Sequence, residues 1–109
     1  MTDCGLGYGI QPVSTLHIVS KSPFRTDALQ RCLSLVAPGD SIILIEDGVL
    51  AVNLSILGER ISGTDVSCFA LAGDLIARSL TTAGTEIQQA DAASFVALVC
   101  EHRNSISYG

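Results

Sequence analysis

The sequence predicts an α/β fold, a mainly parallel sheet with helices on both faces, and three features carry that expectation. Short apolar runs, Ile42-Ile43-Leu44-Ile45 above all, alternate with segments whose apolar residues recur at helical spacing. That uninterrupted run suits a central parallel strand covered on both sides better than a strand with one wet face. The joints between segments are brief and marked by Pro23, Pro38-Gly39, Asp47-Gly48 and Gly73-Asp74. Strands and helices in alternation, joined by short loops, are what right-handed crossovers between parallel strands require.

Each element follows from its residues. Thr15 to Ser20 is the first strand, with Leu16, Ile18 and Val19 suited to burial and Lys21-Ser22-Pro23 ending it. A helix follows: Thr26 or Asp27 can cap its free amides, and Ala28, Leu29, Cys32, Leu33, Leu35 and Val36 recur on one face. Pro38-Gly39 closes the helix, and Ser41 to Glu46 is the central strand, left at Asp47-Gly48. Val49 to Leu57 is apolar enough for a helix, although Val52, Asn53 and Ile56 give it poor propensity. Val66 to Leu71 reads as a third strand, and a brief helix runs from Gly73-Asp74 through Leu80. Thr85 to Gln88 is a weaker fourth strand. The closing helix spans about Asp91 to His102, with Ala92, Phe95, Val96 and Val99 as its inward stripe. The first fourteen residues are too glycine-rich and irregular to join a core. The expected organisation is a flexible extension over residues 1–14 and one domain over residues 15–109.

Composition narrows the function classes. The chain has 109 residues, 48% of them hydrophobic and only 16% charged, which leaves little polar surface for a monomer and favours an oligomer. A net charge of −5, with only six lysines and arginines and none clustered, argues against gripping nucleic-acid phosphates. Apolar runs fall far short of the roughly 20 residues that span a bilayer, and the first basic residue is Lys21, so neither a membrane span nor a secretion signal is expected. The expected compartment is the cytoplasm. Cys4, Cys32, Cys68 and Cys100 lie far apart, with no C-x-x-C pair and no nearby histidine spacing that would build a zinc site, so no metal site or cofactor is expected.

Chemistry in such sheets gathers at the carboxyl ends of strands, here Ser20-Lys21-Ser22, Glu46-Asp47-Gly48 and Ala72-Gly73-Asp74. Lys21 beside the first helix is a candidate anion-binding residue, although a solvated loop lysine is the simpler reading. Glu46 and Asp47 are adjacent on an extended segment and point to opposite sides, which suits a turn better than an acid/base pair. Gly5, Gly7 and Gly9 lack the preceding strand that would make them a phosphate loop. His17 and His102 have no sequence neighbour to orient them as bases and read as structural. Cys68 in a strand and Cys100 in a helix read as small buried hydrophobes. Cys32 shares the apolar stripe of the first helix yet follows Arg31. An ordinary thiol is only about 3% thiolate near pH 7, so reactivity there needs an accessible, electropositive setting.

The stretch Leu16-His17-Ile18-Val19-Ser20-Lys21-Ser22-Pro23-Phe24, then Thr26-Asp27-Ala28-Leu29 and Cys32-Leu33, resembles the DsrH/TusB family of sulfur-relay proteins. Pro38-Gly39-Asp40, Ile45-Glu46-Asp47-Gly48-Val49, Ala70-Leu71, Asp74-Leu75-Ile76-Ala77-Arg78 and Phe95-Val96 continue the likeness in register, to about His102. The resemblance implies a three-layer DsrE-like domain that assembles with DsrE/TusD-like and DsrF/TusC-like sister subunits into a heterohexamer. That complex takes up persulfide sulfur and exchanges it with a DsrC/TusE-like carrier, for tRNA wobble-uridine 2-thiolation or for sulfur oxidation. The principal active cysteine lies on the DsrE/TusD-like sister, so this chain is at most a sulfurtransferase subunit. Cys32 matches the first-helix cysteine of DsrH-type members, absent from some TusB-type ones, and is the candidate persulfide carrier, with Arg31 or a neighbouring subunit supplying positive potential. Two departures from the family are the extension before Leu16 and a carboxyl end that offers Tyr108 in place of a terminal tryptophan.

Overall fold

The computed structural model describes residues 14–108. The expected extension and its glycines thus lie, but for Ser14, outside the described residues.

Among the described residues five strands form one parallel sheet: β1 (Thr15–Val19), β2 (Ser41–Leu44), β3 (Ser67–Leu71), β4 (Gln88–Ala90) and β5 (Asn104–Tyr108), in the order β4-β3-β2-β1-β5. Four α-helices connect them: α1 (Ala28–Leu35), α2 (Ser55–Ile61), α3 (Ala72–Ala77) and α4 (Ala92–Glu101). The period-two alternation of a strand explains the layers. Ile42 and Leu44 of β2 point into a cluster with Ala28, Leu29, Cys32 and Leu33 of α1, Leu57 and Ile61 of α2, and Leu75 of α3. Ile43 points the other way, against Leu16, Ala90, Leu98 and the half-buried Phe69 and Phe95. Helices therefore cover both faces of an α/β three-layer sheet, and β2 is fully buried along its length.

The first three strands, α1, the brief helix after β3 and the closing helix fall where the pattern puts them. Thr26 accepts the Ala28 amide on its hydroxyl at 3.2 Å, and Asp91 accepts the Ser94 amide at 2.8 Å, so both expected helix starts carry a side-chain acceptor. Four details differ. Glu46–Asn53 is a 3-10 helix, and the α-helix begins only at Ser55 and runs to Ile61, past the expected end at Leu57. Gly48 has no room for an ordinary helical neighbour, because a Cβ there would lie 2.0 Å from the Val19 carbonyl oxygen. The fourth strand is Gln88–Ala90 and not Thr85 to Gln88, since Thr85 is held in a turn on the Thr82 carbonyl at 3.0 Å. Leu35 of α1 is exposed, as are Ala92, Val96 and Val99 of α4, whose inward residues are Phe95 and Leu98. Finally, β5 adds a strand where polar residues gave no expectation of one.

Because β4 and β5 are opposite edges, α4 crosses the whole face of the sheet to join them. β5 then lies parallel to β1 in the register His17–Ile106 and Val19–Tyr108. Among the described residues no helix is long and apolar enough to cross a membrane.

Candidate functional site

Helical spacing places Cys32 on the inner face of α1, where it packs in the core with no exposed surface. Three polar groups converge beneath the same helix. His17 projects from β1, Asp40 ends the turn before β2, and Tyr108 closes β5. Gly39 makes that turn with φ +92, a conformation that only glycine adopts cheaply.

His17 bridges the other two, its Nε2 2.9 Å from Asp40 Oδ2 and its Nδ1 2.7 Å from the Tyr108 hydroxyl. A carboxylate can only accept, so Nε2 carries a proton and donates to Asp40, and in the neutral ring Nδ1 accepts the Tyr108 proton. The His17 and Tyr108 rings also stack, with centroids 5.7 Å apart. Asp40 further accepts the Thr15 and Ala37 amides, each at 3.0 Å. Burial alone would raise the Asp40 pKa, but the hydrogen bonds from His17, Ala37 and Thr15 outweigh it and hold the carboxyl below its ordinary value. Asp40 is therefore an ion inside the fold.

The same setting disfavours a thiolate. Burial, and then the Asp40 charge, push the Cys32 thiol up to about 12. Arg31 does not offset them, because its Nε is held 3.0 Å from Asp27 on the exposed side of α1. At pH 7 such a thiol is ionised in about one molecule in 10⁵. Burial likewise pushes the Tyr108 phenol up to about 12, with the Cys32 and Asp40 charges adding to the rise and Arg31 opposing it. Cys68 is buried as expected, whereas Cys100, expected inside, is exposed on α4.

The carboxyl ends of the strands form a second polar group. Glu46 turns out of β2 with φ +50 and gives its amide to Asp74 Oδ2 at 2.7 Å. Arg78 pairs with Asp47 at 2.8 Å and approaches Asp74 at 3.7 Å, so these charges serve one another. Lys21 is exposed in the loop before α1, which begins seven residues later. His102 is anchored as a structural residue, to the Leu98 carbonyl at 2.7 Å and to the Ser41 hydroxyl at 3.0 Å. An open groove of about 460 Å³ between α2 and the segment before β4 is lined by Val52, Leu54, Glu59, Glu86 and Ile87 among others, away from Cys32. Among the described residues no group of three or more His, Cys, Asp or Glu could hold a metal ion.

A family model described as "DsrH like protein" matches residues 21–105 of this chain. The chain belongs to the DsrH family. Proteins named TusB from Escherichia coli, Escherichia fergusonii and Shigella boydii are each 34% identical to it over 95 residues, covering 85% of this chain and 99% of the relative. The family match runs from the loop before α1 into β5 and takes in the first helix with Cys32. Sequence reading singled out Cys32 but missed the Asp40–His17–Tyr108 chain around it. The signal was a histidine at an inward position of an apolar strand, where an unpaired imidazole would be costly.

Proposed function

We propose that this chain is a subunit of a cytoplasmic sulfur-relay complex, partnered by DsrE/TusD-like and DsrF/TusC-like sisters. The complex passes persulfide sulfur to a DsrC/TusE-like carrier, for wobble-uridine thiolation of tRNA or for sulfur oxidation. The observation that carries this reading is the likeness, over 85% of this chain and 99% of the relative, to proteins named TusB. Exposed Phe24, Leu35, Ile76 and Val96 support it, since large apolar side chains in water on an isolated chain are natural contacts in an assembly.

Within that reading Cys32 is the proposed carrier. Its thiolate attacks the outer sulfur of a donor persulfide, forming the Cys32 persulfide and releasing the donor thiolate, and the carrier's thiolate later takes that sulfur and restores Cys32. A second reading, a non-catalytic subunit that shapes the complex, is favoured by the burial of Cys32 and its raised pKa. The test is labelled-sulfur transfer in the complex reconstituted from the purified chain and its sisters, with Cys32→Ala against the wild type. Carriage through Cys32 predicts loss of label from this chain and slower delivery to the carrier. Undiminished delivery would leave only the structural role. Failure of the chain to assemble with sister subunits at all would remove both, and would favour a free-standing module that binds a small anion through Lys21, checked by titration with inorganic phosphate.

A further inference from the structure

We propose that β5 is a latch over Cys32, held shut by the hydroxyl of Tyr108. The latch regulates the same thiol as the carrier reading above, and its use in sulfur transfer rests on that reading.

Four observations lead there. Cys32 has no exposed surface, yet α1 packs on both β1 and β5, so one of the two strands beneath it is an edge strand. Among the described residues β5 pairs only with β1, and its residues Asn104, Ser105, Ile106 and Ser107 are all exposed. Tyr108 alone is buried, 4% exposed, in the apolar cluster that contains Cys32. Its hydroxyl is tied to His17, and His17 is fixed by the Asp40 carboxylate, itself held by two backbone amides. An edge strand with four exposed residues and one anchored side chain can open without uncovering the centre of the sheet. Its departure removes the Tyr108 ring from the cluster that holds the thiol and leaves α1 resting on β1.

The chain of hydrogen bonds gives the latch a set point. His17 on β1 and Asp40 in the turn before β2 stay put when β5 leaves, so the hydroxyl returns to a formed acceptor. Other titratable groups near the helix are Arg31 and Asp27, paired with one another on its outer face, and Arg60 of α2, which donates to the Leu33 carbonyl. None of these grips β5, so the Tyr108 hydroxyl is the contact to alter.

The experiment is alkylation of the full chain by iodoacetamide, with Cys32 and Cys68 followed separately by peptide mass spectrometry. Cys68 is the internal control, equally buried in the same cluster but carried by β3, with β2 and β1 between it and β5. In Tyr108→Phe, which keeps the ring and removes one hydrogen bond, the Cys32 rate rises about fivefold while the Cys68 rate stays at the wild-type value. Hydrogen exchange on the same variant shows faster exchange at β5 with β2 unchanged. An unchanged Cys32 rate overturns the latch, as does a parallel rise at both cysteines, which would mean that the whole domain opens. Faster exchange at β5 without faster alkylation of Cys32 also overturns it. Persulfide uptake separates the latch from the carrier reading. A Cys32 that alkylates faster in Tyr108→Phe but accepts no sulfur from a low-molecular-weight persulfide keeps the latch and ends the carrier role. Sulfur accepted at equal rates in both proteins, with alkylation unchanged, does the reverse.

Discussion

At the scale of single residues the fold depends on a few positions with no tolerance. Asp40 satisfies two backbone amides and one imidazole at once. An asparagine has a single acceptor oxygen, so Asp40→Asn leaves a buried donor unpaired and costs about 2–3 kcal/mol in urea unfolding at pH 7. The pH dependence has a definite sign. The folded carboxyl titrates below its ordinary value of 3.8, so its contribution is complete above that value and is lost as the pH falls through the lowered one. The stability gap between wild type and Asp40→Asn should therefore be full at neutral pH and shrink only in strong acid. A gap constant down to the lowest pH would show that the carboxylate charge is not what the site uses. Gly48 is intolerant for a steric reason, with the Val19 carbonyl 2.0 Å from where a methyl would sit. Gly48→Ala should lose about 3 kcal/mol or more by the same unfolding measurement. Gly58, inside α2 with nothing near its missing Cβ, is the counterpart: Gly58→Ala should gain about 0.5–1 kcal/mol.

Among the elements, α4 shows where sequence patterning stops being informative. From Ala92 to Cys100 it has one polar residue, Ser94, and no charge, so several stripes fit the period of a helix and the composition selects none. The structure selects Phe95 and Leu98, because they meet Leu16 and Ile43 across the sheet. Leu98→Ala should cost about 2–4 kcal/mol in thermal or urea unfolding, whereas Val96→Ala should stay within about 0.5 kcal/mol. Equal losses at both would mean that the helix is rolled about its axis. By contrast β2 was legible outright, since a run of four branched or long aliphatics has one good home in a parallel sheet. The 3-10 helix was not, because its shape is dictated by the contact of Gly48 with a strand distant in sequence. β5 was hidden for a similar reason: Asn104-Ser105-Ile106-Ser107-Tyr108 owes its extended form to pairing with β1. Cys32 was visible as chemistry, but its setting was not, since His17, Asp40 and Tyr108 are brought together only by tertiary structure.

For the molecule as a whole, the order of the strands ranks their stability. β2 lies at the centre with every residue buried, flanked by β1 and β3, while β4 has three residues, two of them exposed, and β5 is buried at its last residue alone. Opening an edge strand breaks one ladder and uncovers little apolar surface, whereas freeing β2 breaks two and uncovers Ile42, Ile43 and Leu44 together. Native-state hydrogen exchange should accordingly show β2 amides exchanging only through global unfolding, with a urea dependence equal to that of the equilibrium transition. The β4 and β5 amides should exchange sooner, with little urea dependence, because their opening exposes little surface. A shared rate and urea dependence for all five strands would mean that the sheet opens as one unit. The edge would then have no independent motion, and no route to Cys32 short of unfolding would exist.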